Sequence, residues 1–151
     1  MIKKILVTTD CSDFGNRAVP FALDLGSQLG AEVVLCTVIE REKHESMYFI
    51  DWKPLSDRKN LQKAVNSARG MLKRVLPKGG AGGIKTSVKV IVDVNAVSGV
   101  INCIEELKPD LLVIAEHGMS GFQRFMMGST ADRIVRSVPC PVLILKTGDE
   151  S

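Results

Sequence analysis

The sequence predicts an α/β fold, a three-layer α/β/α sandwich built on a five-stranded parallel sheet. Three observations carry this. Short apolar, β-branched runs alternate along the chain with longer stretches of helical period. The apolar runs are largely continuous, as in strands covered on both faces. A chain of 151 residues suits one domain, here 1–151, and needs no disulfide or metal to fold.

The elements follow in order. Lys4 to Thr9 reads as the first strand. It ends at Asp10-Cys11-Ser12-Asp13, a helix start with Ser12 as a plausible N-cap. Ala18, Phe21, Ala22, Leu25 and Leu29 recur at helical spacing. Pro20 is expected to kink that helix and Gly30 to end it. Glu32 to Val38 is the second strand. Residues 39–56, which include His44, Tyr48 and Trp52, show no period. A connection of this length is usually a functional loop, so it is expected to be mobile without ligand. A second helix runs from about Ser56 to Pro77 on Leu61, Val65, Ala68, Leu72 and Val75. Gly79 to Gly83 is a flexible connector, with no G-x-x-x-x-G-K-[ST] to make it a phosphate loop. Lys85 to Val92 is the third strand, Ala96 to Leu107 the third helix and Leu111 to Ala115 the fourth strand. Ser129 to Val138 is the fourth helix and Val142 to Lys146 the fifth strand. Strands alternating with helices imply right-handed crossovers and a parallel sheet.

Composition excludes several classes. Hydrophobic residues make up 45% and charged residues 25%, which argues against disorder. No apolar run approaches a membrane span, and no secretory signal opens the chain. The cysteines Cys11, Cys36, Cys103 and Cys140 form no C-x-x-C pair, so zinc and redox readings are weak. Reduced thiols without a signal point to the cytoplasm. A formal charge of +3 does not argue for nucleic acid unless a concentrated patch exists. Arg58, Lys59, Lys63, Arg69, Lys73 and Arg74 make the second helix basic. A solvated face is the plainer reading, with nucleic acid or an acidic partner the minority one.

The loop from Ala115 to Thr130 is the most informative segment. It leaves the fourth strand and delivers Gly128-Ser129-Thr130 to a helix N-terminus, whose free N–H groups and positive dipole end favour an anion. Glycines at 118 and 128 allow backbone to approach phosphate oxygens. A helix cap preceded by a glycine turn explains the same residues without a ligand. His117 either touches phosphate or closes the turn. Asp10 either accepts from a ribose hydroxyl or helps cap the first helix.

The loop reads Ala115-x2-Gly118-x9-Gly128-Ser129. It resembles the G-x2-G-x9-G-S/T of the universal stress protein family, with Ala115 in place of the first glycine. The opening Lys4-Ile5-Leu6-Val7-Thr8-Thr9-Asp10-Cys11-Ser12 and the closing Pro139-Cys140-Pro141-Val142-Leu143-Ile144-Leu145 also look like that family's ends. Thr8 stands where some members have proline, and Asp93-Val94-Asn95-Ala96 replaces a glycine-containing turn.

The resemblance implies strand order 3-2-1-4-5, as in adenine nucleotide alpha hydrolase-like folds. It implies a cytoplasmic stress-response regulator that binds ATP or AMP, with or without Mg²⁺, at the switch between strands one and four. Adenine would lie near Thr8, Asp10 and the backbone of Val38, and phosphates on Gly118, Gly128, Ser129 and Thr130, with Ala115 and His117 alongside. It also implies a homodimer paired through Val142–Leu145. Efficient catalysis is not expected. Hydrolysis needs a positioned water, for which Glu116 is the nearest candidate, so slow turnover is the most the loop offers.

The family includes members without nucleotide, so a stress or interaction protein of the same fold is the alternative. A phosphoacceptor domain using Asp10, Asp93 and Lys146 is disfavoured, because Cys11 stands where the second acidic residue is needed.

Overall fold

The computed structural model describes residues 1–41, 58–78, 81–117 and 127–146. The strands are β1 (Lys4–Thr8), β2 (Glu32–Glu40), β3 (Thr86–Asp93), β4 (Leu111–Ala115) and β5 (Val142–Leu145). The helices are α1 (Asp13–Asn16), α2 (Ala18–Leu29), α3 (Arg58–Val75), α4 (Ala96–Leu107) and α5 (Ser129–Ser137). All five strands are parallel, in the order β3-β2-β1-β4-β5. His44, Tyr48, Trp52 and the rest of the expected mobile loop beyond Arg41 lie outside the described residues, as does Gly118.

Strand residues alternate between two cores. Ile5, Val7, Val33, Leu35, Leu111 and Val113 point to one face, against Ala18, Val19, Ala22 and Leu23 of α2 and Leu72 of α3. Leu6, Val34, Cys36, Leu112 and Ile114 point to the other, against Val97, Val100, Cys103 and Ile104 of α4 and Ala131 and Ile134 of α5. Both faces of the inner strands are therefore dry, which is why their sequences are unbroken apolar runs. The edge strands β3 and β5 are half-buried throughout.

Helix ends follow the expected chemistry. Ser12 Oγ accepts from Gly15 N and starts α1. Gly30, left-handed at φ 65°, ends α2. Asn95 caps α4 by accepting from Ser98 N. The kink expected at Pro20 takes another form. The helix breaks at Arg17, three residues earlier, and restarts as α2 with Pro20 in its first turn. A proline ring clashes with the carbonyl four residues back and needs no N–H donor in a first turn, so the restart accommodates it. Arg17 also lies over the Phe14 ring, 5.0 Å from its centroid.

At the opposite end of the sheet, Asp110 joins β1 to β4. Its Oδ2 accepts from the backbone N–H groups of Lys3 and Lys4 at 2.9 and 3.0 Å, which hold its carboxyl below the usual range.

Helix α3 is attached by one deep anchor. Leu72 is its sole wholly buried residue, and Leu61, Val65, Ala68 and Val75 are half-buried. Leu72→Ala is expected to cost about 2–5 kcal/mol, read as a lower urea midpoint with unchanged slope. Met71→Ala, at an exposed neighbour, is expected to stay within about 0.5 kcal/mol.

Candidate functional site

The helices after β1 and β2 cover one face, and those after β3 and β4 cover the other. The chain thus parts between β1 and β4 and leaves a crevice beyond their carboxyl ends, the usual ligand position in open α/β sheets. Thr8, Asp10, Val38, Ala115, His117, Gly128, Ser129 and Thr130 all lie at this end of the sheet.

The crevice exists because β1 stops early. Thr8 pairs with Cys36, and Thr9 N–H donates to the Cys36 carbonyl at 3.0 Å. β2 continues to Glu40, held only by β3 on its other side. In a parallel strand, N–H and C=O groups face the same neighbour at every second residue. Val38 therefore directs both its backbone groups toward the β1 side, as Cys36 does. Continued register would bring Cys11 N–H to the Val38 carbonyl. Instead Cys11 takes a left-handed conformation, φ 64°, and its N–H bonds to Thr9 Oγ1 at 3.0 Å. The Val38 side chain is fixed from behind, since a Cβ on Gly99 of α4 would come within 2.5 Å of it.

The turn after β1 is a network of short polar side chains. The buried Thr9 hydroxyl donates to Asn16 Oδ1 at 2.8 Å, and Asn16 Nδ2 reaches the Cys11 carbonyl. Asp10 Oδ1 accepts from both the backbone N–H and the hydroxyl of Ser12, so Asp10 orients the cap rather than being the cap. Gly15 makes this possible, because a Cβ there would lie 2.4 Å from Asp10 Oδ1. Cys11 Sγ faces Thr37 Oγ1 at 3.8 Å. Burial pushes its thiol pKa up, the Thr37 hydrogen bond partly offsets this, and the Asp10 carboxylate adds to the rise. Thr9, Asn16, Gly15 and Thr37 were not expected as site residues. The Thr8-Thr9 pair ahead of Asp10 was the available signal, since hydroxyls at a strand end commonly bond nearby backbone.

On the β4 side, Ala115 ends the strand opposite Leu145, and Glu116 N–H extends the ladder to the Leu145 carbonyl at 2.9 Å. Gly128 lies directly on this segment. Its N–H donates to the Glu116 carbonyl at 3.0 Å, and a Cβ on it would sit 3.2 Å from that oxygen. The Gly128 N–H is thus committed to the Glu116 carbonyl. Gly128 is also the N-cap of α5, with no side-chain cap among the described residues. The first helical bond runs from Asp132 N–H to the Gly128 carbonyl. The N–H groups of Ser129, Thr130 and Ala131 precede it, in the positions where helices bind anions. Asp132, in the same first turn, is clamped by Arg136 at 3.0 Å on both oxygens. His117 Nδ1 lies 3.9 Å from the Glu116 carboxylate. Among the described residues no cluster of three or more His, Cys, Asp or Glu could hold a metal ion, and no helix is long and apolar enough to cross a membrane.

A family model described as the universal stress protein family matches residues 1–146. The chain is 28% identical over 149 residues to a universal stress protein of Methanocaldococcus jannaschii, covering 97% of this chain and 83% of that one. It is 24% identical over 147 residues to a putative universal stress protein of Staphylococcus haemolyticus, covering 96% and 85%. Among solved structures, a universal stress protein in complex with cAMP is similar at TM-score 0.59 and 24% identity, covering 97% of this chain and 98% of that one. One from Archaeoglobus fulgidus in complex with dAMP is similar at TM-score 0.57 and 14% identity, covering 95% and 97%.

Ser12→Ala removes the acceptor for Gly15 N and a donor to Asp10 together. It is expected to cost about 0.5–2 kcal/mol, read by thermal or urea unfolding.

Proposed function

The chain belongs to the universal stress protein family, and from that premise we propose that it binds ATP or AMP between β1 and β4 as a cytoplasmic stress-response regulator. The observation that carries this reading is the start of α5. A helix begins at Gly128, with no side-chain cap among the described residues, beyond the end of β4 and beside the switch point. Its leading N–H groups, with the Ser129 and Thr130 hydroxyls, suit phosphate oxygens. Gly128 supports this by close packing rather than by donating, because any side chain there would push α5 away from Glu116.

On the other side of the crevice, the Val38 N–H and carbonyl offer a donor and an acceptor in one plane, which suits the edge of an adenine ring. In this reading Asp10, whose Oδ1 accepts from Ser12, also accepts from a ribose hydroxyl. Thr8 lines the approach, and Gly118 and His117 complete the proposed set around the phosphates. Similar proteins are described in complex with cAMP and dAMP, which supports an adenine ligand. No residue is assigned a catalytic role. Glu116 faces His117 rather than standing apart as a base for water.

A second reading has one specific observation in its favour. Ala115 puts a methyl group where the motif's first glycine would lie, and a non-nucleotide interaction protein of the same fold would tolerate it. Calorimetry with millimolar ATP and Mg²⁺, with mass spectrometry of molecules released from freshly purified protein, separates the two. ATP binding is expected in the parent and lost in Gly128→Val, with the far-UV circular dichroism unchanged. Ala115→Gly is expected to leave affinity unchanged or raise it. No heat and no co-purified nucleotide would favour the interaction reading.

The proposal includes a homodimer through Val142–Leu145. This edge is apolar and half-buried in one subunit, and such an edge associates unless covered. Antiparallel pairing about a two-fold axis would cover it. Light scattering at micromolar concentration is expected to give twice the chain mass, and a monomer would refute this part.

A further inference from the structure

Helix α3 lies on the α2 side of the sheet, packed on β2 and β3, and carries a charge pattern the nucleotide reading does not use. The chain has 20 basic and 17 acidic residues. Six basic residues and no acidic one fall within Arg58–Val75, so the remaining residues hold 14 basic and 17 acidic and are net negative. The protein's whole positive excess sits on one helix.

The structure places that charge on a single surface. Arg58, Lys59, Lys63, Arg69, Lys73 and Arg74 are all exposed, as are Gln62, Asn66 and Ser67 among them. The opposite stripe, centred on Leu72, is spent on the sheet. Arg58, Lys63, Arg69, Lys73 and Arg74 form no ion pair with a described residue. Lys78, just beyond Pro77, extends the same sign. Across the groove beside Val75, Asp24 of α2 accepts from Gln28 at 2.8 Å. An 18-residue helix makes this a stripe about 27 Å long.

We propose that the exposed face of α3 docks on the phosphate backbone of a nucleic-acid duplex, without reading its sequence. A single-sign stripe with interleaved amides matches a polyanion with one charge per about 1.7 Å, whose recognition is mostly charge and polar contact. The two other anionic partners fit less well. A membrane-surface helix inserts an apolar face, and here that face is buried. A protein interface is anchored by a cluster of aromatic or apolar hot spots, and beside the basic face one apolar side chain, Met71, is exposed.

Fluorescence anisotropy with a labelled mixed-sequence duplex of about 20 base pairs tests this on the full chain. Binding is expected at 50 mM salt, weakening about a hundredfold by 200 mM if about four phosphates are neutralised. Lys63→Glu with Arg69→Glu is expected to weaken binding more than tenfold at an unchanged melting temperature. Lys3→Glu with Arg133→Glu changes net charge equally elsewhere and is expected to weaken it less than threefold. Saturating ATP is expected to leave the duplex affinity unchanged, and a failure of ATP to bind would not affect this result. The proposal is overturned by no binding at 50 mM salt, by equal losses in the two double variants, or by displacement of the duplex with ATP. Tighter binding to phosphatidylserine vesicles or to a polyglutamate peptide than to the duplex would overturn it as well.

Discussion

The candidate site depends on one hydrogen bond, from Cys11 N–H to the hydroxyl of Thr9. A first strand that ran on beside the second would close the ladder over Val38. With this bond the chain turns out at Asp10, the sheet loses one strand's width at its carboxyl end, and two main-chain groups of β2 face a gap. The left-handed conformation of Cys11 is the strain that accompanies this turn. For a residue with a Cβ such a conformation costs about 1–3 kcal/mol unless its surroundings enforce it. Thr9, Asn16 and Ser12 are those surroundings.

The two walls of the gap are made differently. The β1 wall is a mesh of short polar side chains that hold each other, with Gly15 providing room for the Asp10 carboxylate. The β4 wall is main chain on main chain, Gly128 against Glu116. A side-chain mesh admits small adjustments of Asp10, whereas a backbone bond closed over a glycine fixes where α5 starts. The positive end of that helix is thus held through main chain, and the polar groups opposite it through side chains.

Much of this was legible from residue types. Unbroken runs such as Leu111–Ala115 announced strands buried on both faces, and Ser12, Gly30 and Pro77 marked helix limits where the structure has them. The glycine spacing singled out the loop between β4 and α5, whose residues 118–126 lie outside the described residues. Three matters were not legible. A proline inside a helical period does not say whether the helix bends or restarts, because that depends on which carbonyl lies four residues back. A glycine's closeness to backbone does not say whether its own N–H is spent, as that of Gly128 is. A cysteine between Asp and Ser gives no sign of a left-handed φ, which follows from hydrogen bonds made across the turn. The strand order came from the resemblance, since alternation alone fixes a parallel sheet but not the sequence of its neighbours.

Gly99 has a consequence on the far side of the sheet from the turn. Its bare Cα is what allows α4 to sit against the Val38 side chain, and an added methyl would overlap Val38 Cγ1 at 2.5 Å. Val38 is also the residue whose main chain edges the gap. Enlarging position 99 would press on that strand from behind and shift the edge. The helix behind the sheet therefore works as a set screw for that edge, and a substitution on its buried face can shift the gap while every residue lining it stays the same.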